Sequence, residues 1–265
     1  MKKTSCLLIS LLFALQALAQ TVIDPAKFVI DDARKMIVCN EPQSALQNLG
    51  SPIRFSVQGS IFTLPAGVNE LSYGVKYAAN FNGNQYDLYF TNLPLLDLTV
   101  PNAGAMNGDT EIPGTMSLAS DAQGIYNSAM AIRTRGNSSS FFPKKSYRVQ
   151  LKDGGGKNKD AALLGLRSDK RWLLLAMWNE EIRANNVVSH KLWIDMHRLH
   201  YAAQEPEAIS SIRTKYVEVF LNKSYIGVQT CALPISLLYR SVRFHRRYGS
   251  QTVAIEERRG RRNKR

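Results

Sequence analysis

Residues 133–151, reading RTRGNSSSFFPKKSYRVQL, hold the densest set of chemically useful groups in this 265-residue chain. Arg133 and Arg135 precede the run Gly136-Asn137-Ser138-Ser139-Ser140, and Lys144 and Lys145 follow Pro143. Guanidinium and ammonium groups supply fixed positive charge, while glycine and small hydroxyl residues leave backbone N–H groups open to a ligand. Together they suit an anion, above all a phosphate.

The loop needs two strands to hold it. Residues 129–135 read as a strand, and 146–151 alternate polar and apolar residues with period two, so the pair predicts a hairpin with the loop at its tip. Further along, residues 171–178 form an apolar run of strand length. Residues 182–199 read as a helix with Val188, Leu192, Met196 and Leu199 on one apolar stripe. Residues 215–221 alternate again and turn at Asn222-Lys223-Ser224 into Tyr225-Ile226-Gly227. Upstream, residues 22–93 read as short strands, among them a hairpin turning at Asn82-Gly83. These patterns predict an α+β domain preceded by a small all-β module of sandwich type.

The chain begins Met1-Lys2-Lys3, runs apolar from Cys6 and meets Ala17-Leu18-Ala19, the pattern of a secretory signal peptide over 1–19. Export is therefore expected, with no membrane span. Cys6 leaves with that segment and Cys231 lies in a suspect C-terminal stretch, so Cys39 stands alone and no disulfide is expected. The net charge is +13, but residues 228–265 hold ten Lys/Arg and two Asp/Glu. Without them the charge is +5, and without Lys2 and Lys3 it is +3. A body this mildly basic argues against nucleic acid as a partner. The run Gly227-Val228-Gln229-Thr230-Cys231-Ala232-Leu233-Pro234-Ile235 looks like a translated sequencing adapter, and no hydrophobic period follows it. Residues 228–265 are accordingly expected to be a frameshift tail and no domain; a basic arm for anionic partners is the competing reading.

Four separated segments resemble the CotH kinase family, known from spore coat proteins and from exported bacterial proteins. They are IRTRGNSS with FPKKSY (132–139 and 142–147), LLGL with DKRWLL (163–166 and 169–174), IRANN (182–186), and YVEVFLN with YIGV (216–222 and 225–228). The resemblance covers about residues 93–227, with 20–92 as the β-rich module. It implies an atypical protein-kinase-like fold that binds ATP with Mg2+ and phosphorylates hydroxyls of a protein substrate. On that resemblance Lys144 or Lys145 would pair with phosphate oxygens. Arg135 and the N–H groups of Gly136, Asn137, Ser138 and Ser139 would cradle the same anion. Arg183 and Asn186 match the family's Arg-Asn element, and Glu181 or Glu180 would orient the lysine. Family members continue after Tyr-x-Gly-Val with a Tyr-x-Leu-x-Glu strand and then metal-binding aspartates. Here Gln229 begins a run with neither Asp nor Glu, so no metal ligand is assigned, and a protein of this sequence is expected neither to transfer phosphate nor to fold stably. An extracellular binding protein with a non-catalytic kinase-like fold is the alternative.

Other features carry simpler readings. His190, His197 and His200 lack a matching carboxylate or cysteine and read as surface or capping histidines. Trp172, Trp178 and Trp193 stand among aliphatic residues and are expected in the core.

Overall fold

Asn82 and Gly83 both take positive φ, 47° and 75°, the geometry a two-residue hairpin demands. They join β6 (Lys76–Phe81) to β7 (Asn84–Thr91), the central pair of the first sheet. The computed structural model describes residues 21–233 except 48, 50, 51, 69, 201 and 204–209. The first sheet also contains β1 (Thr21–Val22), β2 (Phe28–Asp31), β3 (Met36–Asn40), β4 (Arg54–Val57) and β5 (Ser60–Thr63), in the order β1-β4-β5-β6-β7-β3-β2. It is one sheet folded about its own core of Phe28, Ile37, Phe55, Phe62, Leu88 and Phe90, not the two facing sheets of the expected sandwich.

The rest of the described chain builds a closed seven-stranded barrel. Its strands are β8 (Leu95–Thr99), β9 (Ile112–Ser120), β10 (Gly124–Arg135), β11 (Ser146–Lys152), β12 (Arg171–Leu175), β13 (Thr214–Leu221) and β14 (Ser224–Ala232). They follow the order β10-β11-β12-β14-β13-β8-β9 and close where β9 pairs with β10. Alternation sends Ile132, Val149, Trp172, Leu174, Val217 and Val219 inward. The interior leaves a void of only about 20 Å3 beside Trp172, so the barrel is a packed core and any ligand site must lie outside it.

This corrects the expected α+β, kinase-like architecture: the described residues are mostly β, and their one α-helix is α1 (Asn185–Met196). The helix contributes no buried residue to the core. Its expected apolar stripe faces outward, with Val188 58%, Leu192 55% and Met196 74% exposed. Helical spacing shows that these residues share a face; it does not show which face meets the barrel. Trp178 and Trp193, expected in the core, are 42% and 52% exposed, and only Trp172 is buried. No described helix is long and apolar enough to cross a membrane.

β14 runs through the boundary expected at Gly227 and continues to Ala232, pairing with β12 on one side and β13 on the other. Gln229, Thr230, Cys231 and Ala232 are all buried. In the structure this segment supplies the strand that joins β12 to β13. The expected leader (1–19) and residues 234–265 of the expected tail lie outside the described residues.

The sheet and the barrel meet through Val29 and Val38 on one side and Leu95, Ala119 and Phe220 on the other. Beside this apolar seam the buried Asp31 carboxylate accepts the Tyr225 N–H at 2.8 Å and the Arg34 guanidinium at 2.7 Å.

Candidate functional site

Arg133 and Arg135 lie two residues apart near the end of β10 and so share one face of the strand. Register places Arg133 opposite Arg148 on β11, Arg148 opposite Leu173 on β12, and Leu173 opposite Ala232 on β14. That row lies on the outer face of the barrel, since Trp172 and Leu174, one residue to either side of Leu173, belong to the interior core. α1 follows β12 and brings Asn186 and His190 over the row. The result is a cleft of about 510 Å3 lined by Arg133, Arg135, Arg148 and Arg171, with Leu173, Leu175, Ile212 and Leu233 among its apolar walls. This volume is within the range of about 300–1,000 Å3 usual for small-molecule sites.

Four guanidinium groups around one cleft repel each other. Like charges directly opposite on neighbouring strands destabilise a sheet, and Arg133 faces Arg148 in that way. The one ion pair recorded for these arginines is Arg148 with Glu111, at 3.6 Å. Arg171 Nε donates to Gln150 Oε1 at 3.0 Å. The Arg148 Nε is buried without a hydrogen-bond partner. Burial lowers the pKa of Arg148, the charges of Arg171 and Arg133 lower it further, and Glu111 opposes them. An anion in the cleft would relieve all three conditions: the repulsion, the orphaned donor and the depressed guanidinium.

The structure divides the residues singled out by sequence. Arg135 and Asn186 line the cleft. Gly136, Asn137 and Ser138 follow Arg135 in the chain and are exposed, and Ser139 is half-buried. A 3-10 turn, Ser138–Phe141, folds this loop on itself, with Ser140 N–H on the Asn137 carbonyl and Phe142 N–H on that of Ser139. Those N–H groups are spent within the loop. Gly136 has φ +121°, and a Cβ there would meet Ser139 Oγ at 2.1 Å. Gly136→Ala is therefore expected to cost about 1–2 kcal/mol and to open the turn, read as a lower urea midpoint together with weaker anion binding.

The two lysines part company. Lys145 Nζ donates to the Ser140 carbonyl at 2.7 Å and closes the loop. Lys144 turns the other way: its Nζ donates to the Val228 carbonyl and lies against Gly227, which takes φ +89° and where a Cβ would sit 3.3 Å from that nitrogen. Burial, then the charge of Arg183, bring the Lys144 pKa down to about 8, against the opposing charge of Glu218. Arg183 stacks over Trp178 at 5.8 Å and its carbonyl accepts the Tyr216 hydroxyl. Glu181 is exposed, and Glu180 caps the helix by accepting the Asn185 N–H at 3.1 Å. The carboxylate whose charge favours protonated Lys144 is Glu218 on β13, which stands opposite Val228.

Arg148, Arg171, His190, Glu218 and Tyr225 were therefore missed as site residues. Period two made the shared face of Arg133 and Arg135 legible, but the cross-strand partners depend on register. His190 holds the Ser211 hydroxyl at 2.8 Å, and His197 stacks on Trp193. Among the described residues no group of three or more His, Cys, Asp or Glu side chains could hold a metal ion.

No curated protein matches the chain. The family model described as CotH kinase protein matches residues 132–231, a stretch that runs from the end of β10 through β11, β12, α1 and β13 into β14, and this segment of the chain is similar to that family.

Proposed function

We propose that this chain is an exported, ATP-binding protein of the CotH protein-kinase kind, with the arginine cleft holding the nucleotide's phosphates and, in keeping with the absence of metal-binding carboxylates among the described residues, no phosphoryl transfer by the chain as it stands. One observation carries the reading: four arginines from three strands converge, unneutralised save by Glu111, beside the helix that the family match contains. Planar guanidinium forks suit phosphate oxygens, and in a partly buried cleft they neutralise charge more effectively than they would in water. Leu173, Leu175, Ile212 and Leu233 would exclude water and face the less polar parts of the nucleotide. The CotH match implies nucleotide and metal use in general, but the described residues provide no carboxylate set for a divalent cation. Export rests on the leader-like features of residues 1–19.

The test is calorimetric titration of the full chain with ATP and with AMP, each at low and moderate salt. Saturable ATP binding that weakens steeply with salt, with AMP much weaker, supports the phosphate cradle. Equal affinity for ATP and AMP, or no binding of either, sinks it. Labelled γ-phosphate offered with a protein acceptor then tests for transfer. ATP binding without transfer is the expected result, and transfer to the acceptor would overturn the non-catalytic part of the reading.

A further inference from the structure

The first sheet contains no catalytic cluster of its own, yet a chain of polar contacts leads from it to the anion loop. Arg34, in the turn between β2 and β3, donates to the Tyr225 carbonyl at 2.7 Å and to the Ser224 hydroxyl at 3.1 Å. Asp31, 1% exposed, accepts the Tyr225 N–H. Tyr225 is thus gripped on both backbone faces by the sheet, and its hydroxyl donates to Glu218 Oε2 at 2.6 Å. Thr91, at the end of β7, hydrogen-bonds the same carboxylate. Glu218 in turn stands opposite Val228 in the β13–β14 pairing, and the Val228 carbonyl accepts the Lys144 ammonium, which ties the end of the loop to β14; the Glu218 charge favours the protonated lysine. One residue on, the Lys145 carbonyl accepts Gln229 Nε2 at 3.2 Å, a second tie to the same strand.

We infer that the N-terminal sheet organises the anion loop, and that Glu218 is the positioning residue through which it does so. This inference rests on the phosphate-site reading of the neighbouring cleft. Glu218 touches no expected phosphate position. It acts by supplying the negative charge that keeps Lys144 protonated and seated on the Val228 carbonyl, and so holds the loop's C-terminal end while Arg135 holds its other end at the cleft. The charged and titratable groups facing this pair are Arg183 on the segment before α1, Tyr225 on β14, and Asp31 and Arg34 behind Tyr225. Arg183 opposes the Lys144 charge, and Glu218 is the one recorded neighbour that favours it. Burial, first, raises the Glu218 pKa, and the hydrogen bonds from Tyr225 and Thr91 and the charge of Lys144 hold it down. Removing the sheet's contacts would therefore weaken the carboxylate, and with it the lysine.

The experiment follows Lys144 directly, by NMR titration of lysine side-chain carbons in the full chain, with Lys144→Arg to assign the signal. Glu218→Gln should move the Lys144 midpoint to lower pH by about tenfold in proton concentration. Arg34→Gln and Thr91→Val should move it the same way by less, and Arg54→Gln, an exposed change on β4 of the same sheet, should not move it. Should Glu218→Gln fold poorly, Tyr225→Phe removes one hydrogen bond to Glu218 and should shift the midpoint in the same direction. ATP affinity supplies the functional readout. Glu218→Gln should lose about three- to tenfold at pH 8 and recover at pH 6.5, where Lys144 regains its charge; a merely structural defect would not recover. A Lys144 midpoint unmoved by Glu218→Gln and Tyr225→Phe, or moved as much by Arg54→Gln, overturns the inference. If the unmodified chain binds no ATP, the proposed function fails, while the titration still decides whether the sheet reaches Lys144.

Discussion

Changing Arg148 and Arg171 together to glutamine is expected to weaken ATP binding by about 10²–10⁴-fold and to leave the unfolding midpoint within a degree or two. Each arginine stands to make a charge-assisted hydrogen bond to phosphate worth about 1.5–3 kcal/mol, so two are worth about 3–6 kcal/mol. Stability should change little because both side chains are outside the barrel core, and losing them relieves repulsion with Arg133. Glutamine keeps a polar stem and a donor, so the loss reports charge more than shape. The single variants should each lose about 10- to 100-fold, Arg148 more than Arg171, since its Nε is the buried donor without a partner. The salt dependence of the remaining binding should become shallower. Calorimetry across a salt series measures both effects. Unchanged ATP affinity in the double variant would remove the arginine cleft from consideration as the phosphate site.

Trp172→Ala is expected to destabilise the chain by about 3–5 kcal/mol, a large share of the total stability of about 5–15 kcal/mol usual for a domain. Trp172 is 2% exposed, fills the barrel interior against Leu96, Met116, Val149 and Val217, and donates its indole N–H to the Asp169 carbonyl at 3.0 Å. The void beside it is only about 20 Å3, so truncation opens a hole that strands held in a closed hydrogen-bonded ring cannot collapse to fill. Trp172→Phe should cost less, because most of the apolar volume survives. Urea unfolding of the three proteins checks the order. The same change should also weaken ATP binding, because Arg171 and Leu173 flank Trp172 on β12 and present the cleft side chains. A Trp172→Ala protein as stable as the parent would mean that the barrel interior is not the core described.

Most strands were legible one by one. Residues 146–151 alternate, and β11 is Ser146–Lys152; residues 215–221 alternate, and β13 is Thr214–Leu221. Asn82-Gly83 and the loop after Arg135 were legible as turns for the same local reason: the residue types dictate the backbone. The helix was placed within a few residues, but its apolar stripe was assigned to the wrong surroundings. The fold class was misread because local periodicity weighs a helix and a strand alike and says nothing about closure. The parallel pairing of β8 with β13, which brings residues 95–98 beside 218–221, and the return of β9 onto β10 make a barrel of what reads locally as a mixed α+β order.

By itself the sequence determined where strands and turns fall, which residues alternate faces, that residues 133–151 concentrate anion-binding groups, and the resemblance that the family match over 132–231 supports. Those properties are local, set by side-chain type and by periods of two and 3.6 residues. Only the tertiary structure decided which of those groups meet. It set Arg135 with Arg148 and Arg171, sent Lys144 to the Val228 carbonyl and Lys145 back to Ser140, and joined the N-terminal sheet to the loop through Tyr225. The physical reason is register: a one-residue step in a strand reverses the side chain's face, and the partner across a barrel is fixed by pairings between residues far apart in sequence.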